Sequence, residues 1–148
     1  MSLSQLTSTI GTVRPDTTLR EAAHIMCRDS IGTLLISKKK GAALEGILTD
    51  RDIVREIGAG RDPERDSVAV FTERPVKTMP EGASRQEITS AMRMHGIRRI
   101  PLVDAAGQVT AVVSFDDLLI EAGAELFDLS RAVKTEFDHE APEPDASE

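Results

Sequence analysis

The sequence predicts a mixed α/β (α+β) fold in which two similar units pack together. The chain of 148 residues aligns with itself at an offset of 65 or 66 positions, which indicates an internal repeat. Each repeat shows the pattern of a helix, two strands and a second helix. A unit of half this length buries too little apolar surface to fold alone, so the two units need each other.

The repeat is a match of pattern more than of identity. The aligned pairs are Pro15 with Pro80, Glu21 with Glu87, Met26 with Met92, Ile31 with Ile97, Thr49 with Ser114 and Asp52 with Asp117. The offset changes by one residue between these pairs, and the changes fall in predicted loops, where insertions cost little.

Each unit starts with a helix whose first turn has the spacing of a capping box. Thr18 is followed by Glu21 three residues later, and Ser84 is followed in the same way by Glu87. Apolar residues then recur at intervals of three or four, which predicts one buried face per helix. These residues are Leu19, Ala22, Ala23 and Met26 in the first helix and Ile88, Ala91 and Met92 in the second.

Two short apolar strands follow each helix, and a polar turn separates them. In the first unit the strands are 34–36 and 44–48, and in the second they are 100–103 and 109–113. A closing helix comes next, over 50–57 in the first unit and from Phe115 to about Phe137 in the second. The longer helix repeats apolar residues to its end, so we expect it to pack on a neighbouring element or a partner subunit.

These patterns divide the chain into four parts. The first repeat covers residues 6–60, and a linker with a return strand covers 61–75. The second repeat, with its extended C-terminal helix, covers 76–133. Residues 138–148 are expected to form a disordered acidic tail, because they hold Pro and charge but no large apolar residue.

Composition and charge exclude several classes of function. The chain is 40% apolar and 29% charged, which is typical of a globular protein, and no apolar run is long enough to span a membrane. The acidic tail carries five acidic residues and no Lys or Arg, so the net charge of −7 leaves the rest of the chain nearly neutral. Without a basic, aromatic-rich surface, nucleic-acid binding is disfavoured.

The N-terminus and the single cysteine favour a cytoplasmic location. Residues 1–10 have neither the basic start nor the apolar stretch of a secretory signal. Cys27 has no partner for an internal disulfide, and we expect an inert thiol. His24, His95 and His139 lack the spacing of a metal or nucleophilic site. We therefore predict no catalytic residue, no metal and no required cofactor.

The closing motifs identify a family resemblance. Residues 46–52 read GILTDRD, residues 111–117 read AVVSFDD, and residues 92–104 read MRMHGIRRIPLVD. In this order and duplicated, the motifs resemble the tandem pair of cystathionine-β-synthase (CBS) domains. The resemblance implies two β-α-β-β-α repeats packed as a pseudo-two-fold pair with two clefts between them. Members of that family bind AMP, ADP, ATP, S-adenosylmethionine or similar ligands there.

The resemblance also implies the ligand-binding residues. Hydroxyl groups of Thr49 and Ser114 are expected to contact phosphate, and the carboxylates of Asp52 and Asp117 to contact ribose. The alternative is that both pairs only cap a helix, since they have the capping-box spacing. In the second repeat, Ala111 stands where the first has Gly46, and we expect its methyl group to crowd a ligand in that cleft.

Two arginines complete the predicted site. Arg98 and Arg99 precede the central Pro101 and are expected to reach phosphate, because a guanidinium binds phosphate oxygens in a bidentate manner. The alternative is a solvated edge or a salt bridge to an acidic residue. The first repeat has Gly32 and Thr33 at the aligned positions, so the two clefts should differ in their affinity for phosphate.

Two hypotheses for function follow. The first is a regulatory sensor that binds an adenine nucleotide, forms a homodimer and acts on an effector protein that the sequence does not identify. The second is an interaction module with empty clefts that dimerises and binds a partner constitutively. An enzyme is the least favoured reading, because no nucleophile, base or metal set is apparent.

Overall fold

The computed structural model describes the backbone of residues 11–39 and 42–140, with side chains up to residue 135. The first repeat contains β1 (Gly11–Val13), α1 (Leu19–Asp29), β2 (Thr33–Ile36), β3 (Gly46–Thr49) and α2 (Asp50–Gly58). The second contains β4 (Met79–Pro80), α3 (Arg85–His95), β5 (Arg99–Val103), β6 (Val109–Ser114) and α4 (Phe115–Glu140). The order β-α-β-β-α is the same in both, which confirms the predicted α/β repeats.

Each repeat forms a three-stranded sheet of the same topology. The strand orders are β1-β2-β3 and β4-β5-β6, with the first pair parallel and the second antiparallel in both sheets. In the antiparallel ladders Thr33 is opposite Thr49, and Arg99 is opposite Ser114. The start of the middle strand therefore lies beside the end of the closing strand in each repeat.

Each sheet buries its own apolar cluster against its helices. Leu34, Ile36 and Leu48 are fully buried in the first repeat, and Ile100 and Val113 are fully buried in the second. The predicted helix faces supply the other side of each cluster, including Leu19, Ala22 and Met26 in α1 and Ile88 and Met92 in α3. Burying each large aliphatic side chain contributes about 1.5–3 kcal/mol.

The predicted capping boxes of α1 and α3 are both formed. The side-chain oxygen of Thr18 accepts from the amide of Glu21, while the carboxylate of Glu21 accepts from the amide of Thr18 at 2.9 Å. Ser84 and Glu87 repeat the arrangement, with the returning bond at 2.7 Å. Two orphan amides of each first turn are thereby paired.

The connection between the repeats differs from the prediction for residues 61–75. The expected return strand is a 3-10 helix over Val68–Thr72, which begins after Ser67. Val68 is fully buried in the first core, so the chain does return there. Among the described residues outside the strands, Thr18 and Ser67 form the one isolated bridge of β type, and the 3-10 helix then lies beside β3. Gly46 leaves the space in which the carbonyl oxygen of Phe71 approaches β3.

The ends of the chain are only partly described. Helix α4 continues to Glu140, so its backbone extends past the predicted end near Phe137 and into the segment predicted to be a disordered tail. The rest of that segment, 141–148, and residues 6–10 of the predicted first repeat lie outside the described residues. Within the described part of the chain, no helix is both long and apolar enough to cross a membrane.

Candidate functional site

Two clefts lie where the repeats meet. The Asp52 cleft encloses about 270 Å³ and is lined by Ile47, Asp52, Phe71, Arg74, Pro75, Val76, Lys77, Ile97 and Arg99. The Ser114 cleft encloses about 240 Å³ and is lined by Gly11, Asp29, Ser30, Ile31, Gly32, Thr33, Leu35, Arg99, Val112 and Ser114. These volumes approach the lower end of small-molecule sites, roughly 300 Å³.

The two clefts are equivalent places in the repeat. Ile47 in the first cleft corresponds to Val112 in the second, and Ile97 corresponds to Ile31. Each cleft thus combines the closing strand of one repeat with the segment after the first helix of the other. Residues from both repeats are needed to build either cleft.

The Thr49 and Asp52 side chains form a capping box at the start of α2. Asp52 Oδ2 accepts from the Thr49 amide at 2.8 Å and from Thr49 Oγ1 at 2.7 Å, and the Asp52 amide donates to Thr49 Oγ1 at 3.3 Å. The other oxygen, Oδ1, lies 3.9 Å from Arg55 Nη1. Capping therefore uses one carboxylate oxygen, and the same residue lines the cleft, so capping and ligand contact are compatible.

Ser114 and Asp117 form the equivalent box at the start of α4. Asp117 Oδ2 accepts from the Ser114 amide at 3.1 Å and from Ser114 Oγ at 2.5 Å. Of these two residues Ser114 lines its cleft, whereas in the first repeat the lining residue is Asp52 rather than Thr49. Each predicted pair therefore contributes one residue to a cleft lining, Asp52 in the first repeat and Ser114 in the second.

The two predicted arginines have different surroundings. Arg98 Nη2 donates to Asp116 Oδ1 at 2.7 Å, the guanidinium lies 5.8 Å from the centre of the Phe115 ring, and the side chain is 68% exposed. Arg98 lines neither of the two clefts, and its geometry is that of the alternative salt bridge. Arg99 is half-buried and lines both clefts, and within the described residues it forms no ion pair.

Sequence reasoning missed two cations of the Asp52 cleft. Arg74 and Lys77 lie in the connection between the repeats, which was predicted to be a linker, and they line the cleft with Arg99. The signal in the sequence was the presence of two bases, Arg74 and Lys77, on either side of Pro75 and Val76. Asp52 is the only acid among the described residues of this lining, so the Asp52 cleft has an excess of positive charge.

The charge of the Ser114 cleft is balanced differently. Arg99 is the only base among its described lining residues, and Asp29 is the only acid. A hydrogen bond from Arg28 at 2.7 Å lowers the pKa of the Asp29 carboxyl below its ordinary value of 3.8, so it is ionised at neutral pH. A phosphate group in the Ser114 cleft therefore depends on Arg99.

Thr33 was also missed. Its Oγ1 is buried and finds no hydrogen-bond partner among the described residues, although Thr33 belongs to the wall of the Ser114 cleft. Buried hydroxyl groups in folded proteins are nearly always paired. Thr33 occupies the position that Arg99 occupies in the other repeat.

The prediction that the methyl group of Ala111 crowds a ligand in the second cleft is wrong. A Cβ at Gly46 would lie 2.9 Å from the carbonyl oxygen of Phe71, so this glycine admits the 3-10 helix. Ala111 is buried in the second core and is not part of the Ser114 cleft. The methyl group of Ala111 therefore packs in the core and does not crowd a ligand.

No metal centre is formed by the side chains that the structure describes, since no cluster of three or more His, Cys, Asp or Glu residues is present. Cys27 is an exposed thiol.

Comparison with known proteins gives a consistent family. The model of the family described as CBS domain matches residues 3–59 and 68–123. The CBS domain-containing protein YhcV of Bacillus subtilis is 31% identical over 132 residues, which cover 84% of this chain and 91% of YhcV.

Two further proteins show the range of the similarity. The inosine-5'-monophosphate dehydrogenase of Mycobacterium leprae is 32% identical over 108 residues, which span 73% of this chain but only 20% of the dehydrogenase. Among solved structures, the CBS domain pair of protein MJ0100 covers 84% of this chain and 98% of its own, with a TM-score of 0.72 and 23% identity. That structure is a complex with 5'-methylthioadenosine and S-adenosylmethionine, and at this identity the likeness shows the fold.

Proposed function

The chain belongs to the CBS domain family, and from this premise we propose that it is a regulatory module that binds an adenine nucleotide or a close relative. The candidate ligands are AMP, ADP, ATP and S-adenosylmethionine. The observation that carries the proposal is the Asp52 cleft, where one carboxylate lies among the three bases Arg74, Lys77 and Arg99. A nucleoside phosphate has the complementary pattern of a diol and an anion.

The chemistry assigns a part to each group. Asp52 Oδ1 accepts hydrogen bonds from ribose hydroxyls, since Oδ2 is already used by Thr49. The guanidinium groups bind phosphate oxygens through charge-assisted hydrogen bonds, and Lys77 adds a point charge. The N-terminus of α2 contributes positive potential next to the hydroxyl of Thr49. The adenosyl ligands of MJ0100 support the proposal in so far as they lie in a protein of the same fold.

The two clefts are proposed to take different ligands. The three bases of the Asp52 cleft suit a ligand with one or more phosphate groups. The Ser114 cleft, with one base and the ionised Asp29, suits a ligand with less negative charge. We assign Thr49, Asp52 and Arg99 to the first cleft and Ser114, Asp117 and Arg99 to the second. Arg98 has only a supporting role, through its salt bridge to Asp116 beside Ser114.

The proposed output is regulatory and not catalytic. A CBS pair that spans a fifth of a dehydrogenase supports the view that such pairs are modules distinct from a catalytic domain. Ligand binding then acts on an effector protein, in the cytoplasm, through unequal affinity for two states of the module. Sustained turnover of a nucleotide by the purified chain would contradict this.

Titration calorimetry with AMP, ADP, ATP, GTP, S-adenosylmethionine and NADH tests the proposal. We expect selective binding of an adenine ligand, which Asp52→Ala weakens by about 10- to 100-fold, the range for a hydrogen bond to a charged group. Glu87→Ala is the matched control, because it removes the same capping partner from α3 outside both clefts. Equal binding by the two variants, or no binding by the unaltered chain, would refute the nucleotide sensor.

The exposed face of α4 favours a second candidate, a dimeric interaction module. Leu119, Ala122, Leu126, Leu129 and Val133 recur at intervals of three and four, as in a coiled-coil seam. Leu126, Leu129 and Val133 are 68%, 60% and 52% exposed. An unsupported helix end of this length is marginal in water, so we propose that a second copy of the chain covers the seam.

Light scattering on variants separates the dimer from a monomer. Leu126→Glu places a charge on the seam, and we expect it to shift the mass from dimer to monomer. Ala124→Glu adds the same charge to an exposed position of the same helix away from the seam, and should leave the dimer intact. A monomeric unaltered chain, or equal effects of both variants, would contradict the homodimer.

A further inference from the structure

We propose that Arg99 is a single cation shared by the two clefts, so that a phosphate group bound in the Asp52 cleft weakens phosphate binding in the Ser114 cleft. This inference rests on the proposed function for the identity of its ligand, but not for its electrostatics. It makes Arg99 the residue that couples the clefts.

The first step is that Arg99 is shared between the walls of the two clefts. It is the first residue of β5 and contributes to the walls of both clefts. The equivalent residue of the first repeat is Thr33, which is uncharged. A pair with two-fold symmetry would hold two guanidinium groups here, one for each cleft, whereas this chain holds one.

The second step is where the guanidinium lies. Arg99 Nη2 is 3.2 Å, and Cζ 3.9 Å, from the point where a Cβ would stand on Gly32. Gly32 belongs to the Ser114 cleft, so without ligand the charge is seated on that side. Asp50 Oδ2 lies 3.6 Å from the same point and favours this position of the guanidinium. Among the described residues Arg99 forms no ion pair within 4.0 Å, so the long side chain is free to turn towards the other cleft.

The third step is the charge that each cleft keeps when Arg99 is drawn away. The Asp52 cleft keeps Arg74 and Lys77, so it attracts a phosphate group and then Arg99 as well. The Ser114 cleft is left with Asp29 and no base in its described lining. Coupling between two ligand sites is typically 5- to 150-fold in affinity, and we expect about tenfold here.

The test follows each cleft by NMR on the full chain, with the amides of Asp52 and Ser114 as separate reporters. The probes are AMP, adenosine and inorganic pyrophosphate. In the double variant Arg74→Gln/Lys77→Gln, the Asp52 cleft binds a phosphate group less tightly, so Arg99 stays beside Gly32. We therefore expect the Ser114 cleft to bind AMP and pyrophosphate about fivefold or more tightly than in the unaltered chain. Loss of two positive charges by itself predicts the opposite sign.

A second variant moves the seat of Arg99 and leaves its charge in place. Gly32→Ala requires the guanidinium to shift by a few tenths of an ångström from its place in the Ser114 cleft. AMP binding there should therefore weaken by about twofold, while the Asp52 cleft is unchanged or tighter. Gly82→Ala is the matched control, since no atom lies within 4 Å of its added Cβ. Adenosine, which has no phosphate, should show no change in either variant.

The outcomes separate this inference from the proposed function. An unchanged or weakened Ser114 cleft in the Arg74→Gln/Lys77→Gln variant overturns the sharing of Arg99. If pyrophosphate shows the expected tightening but AMP binds no better than pyrophosphate and adenosine does not bind, the nucleotide sensor fails and the shared cation stands. If none of the three probes binds the unaltered chain, both are overturned.

Discussion

The two clefts have the same scaffold but differ in charge, since the Asp52 cleft is positive and the Ser114 cleft is balanced. Both are formed by a closing strand, a capped helix start and the segment after the first helix of the other repeat. The Asp52 cleft nevertheless contains three bases against one acid, and the Ser114 cleft one base against one acid. Duplication of the fold therefore sets the positions of two clefts, while a few unmatched side chains set the charge of each cleft.

The main source of the difference is the connection between the repeats. Phe71, Arg74 and Lys77 belong to a segment that passes along the Asp52 cleft only. The Gly46 to Phe71 approach holds the beginning of that segment against β3. The asymmetry of charge is thus built on an asymmetry of chain path.

The largest expected effect comes from replacing, one at a time, the aspartates of the two capping boxes, Asp52 and Asp117. Asp52→Asn should weaken AMP binding by about 10- to 100-fold in the Asp52 cleft, because a charged acceptor for the ribose is lost. Asp117→Asn should leave that cleft unchanged and alter only the Ser114 cleft. Calorimetry on both variants measures this. Equal losses would mean that the clefts are not independent in their ribose contacts.

Gly46→Ala should break the chain path that makes the clefts differ. The added Cβ meets Phe71 O at 2.9 Å and Ile36 Cδ1 at 3.0 Å, so we expect a loss of about 1–3 kcal/mol in the free energy of unfolding. The reverse exchange at the equivalent position, Ala111→Gly, should cost about 0.5–1 kcal/mol. Urea denaturation compares the two, and a smaller cost at Gly46 than at Ala111 would contradict the structure.

Thr33→Val sharpens the comparison between Thr33 and Arg99. Valine has the shape of threonine without the buried hydroxyl that lacks a partner, so the unliganded protein should gain about 1 kcal/mol. For a chain of this size the melting temperature should rise by roughly 3 °C. A ligand that pairs with Oγ1 in the Ser114 cleft would bind this variant less well. A lower melting temperature would show that the hydroxyl is already satisfied.

The smallest effect concerns a helix start outside the clefts. Hydrogen bonds from the Ser84 hydroxyl and amide lower the pKa of Glu87 below its ordinary value of 4.5. A carboxyl whose pKa is lower in the folded state stabilises fully above 4.5, and this is lost as the pH falls through the folded value. Between about pH 6 and pH 3, a range that includes the ordinary pKa of a carboxyl group, the melting temperature should therefore fall less steeply for Glu87→Gln than for the unaltered chain. Parallel curves would exclude this contribution.

Local signals in the sequence predicted most of the fold. The capping boxes at Thr18 and Ser84 involve residues three apart, and the hairpins join neighbouring strands, so neither depends on distant contacts. The repeat then doubled each signal, and the family followed from the closing motifs. The 3-10 helix at Val68–Thr72 was missed because its conformation depends on the close approach to Gly46, which lies far away in sequence.

The candidate site was predictable in part for the same reason. Thr49, Asp52, Ser114 and Asp117 belong to a local motif, and the structure has Asp52 and Ser114 in the cleft linings with Thr49 and Asp117 as their capping partners. Arg98 and Arg99 were treated as equivalent, but neighbouring residues of an extended chain point to opposite faces, so only one of them lines the clefts. Arg74 and Lys77 carry no local pattern, and their position follows from the path of the connection.

Arg99, which lines both clefts, determines which combinations of ligands the proposed module would bind. Two independent clefts would each report the concentration of one ligand. With Arg99 divided between them, a phosphorylated ligand in one cleft and a less charged ligand in the other would occupy the protein together more readily than two phosphorylated ligands. The module would then be filled most readily when a nucleotide and its dephosphorylated form are present together, and less readily when the nucleotide alone is abundant.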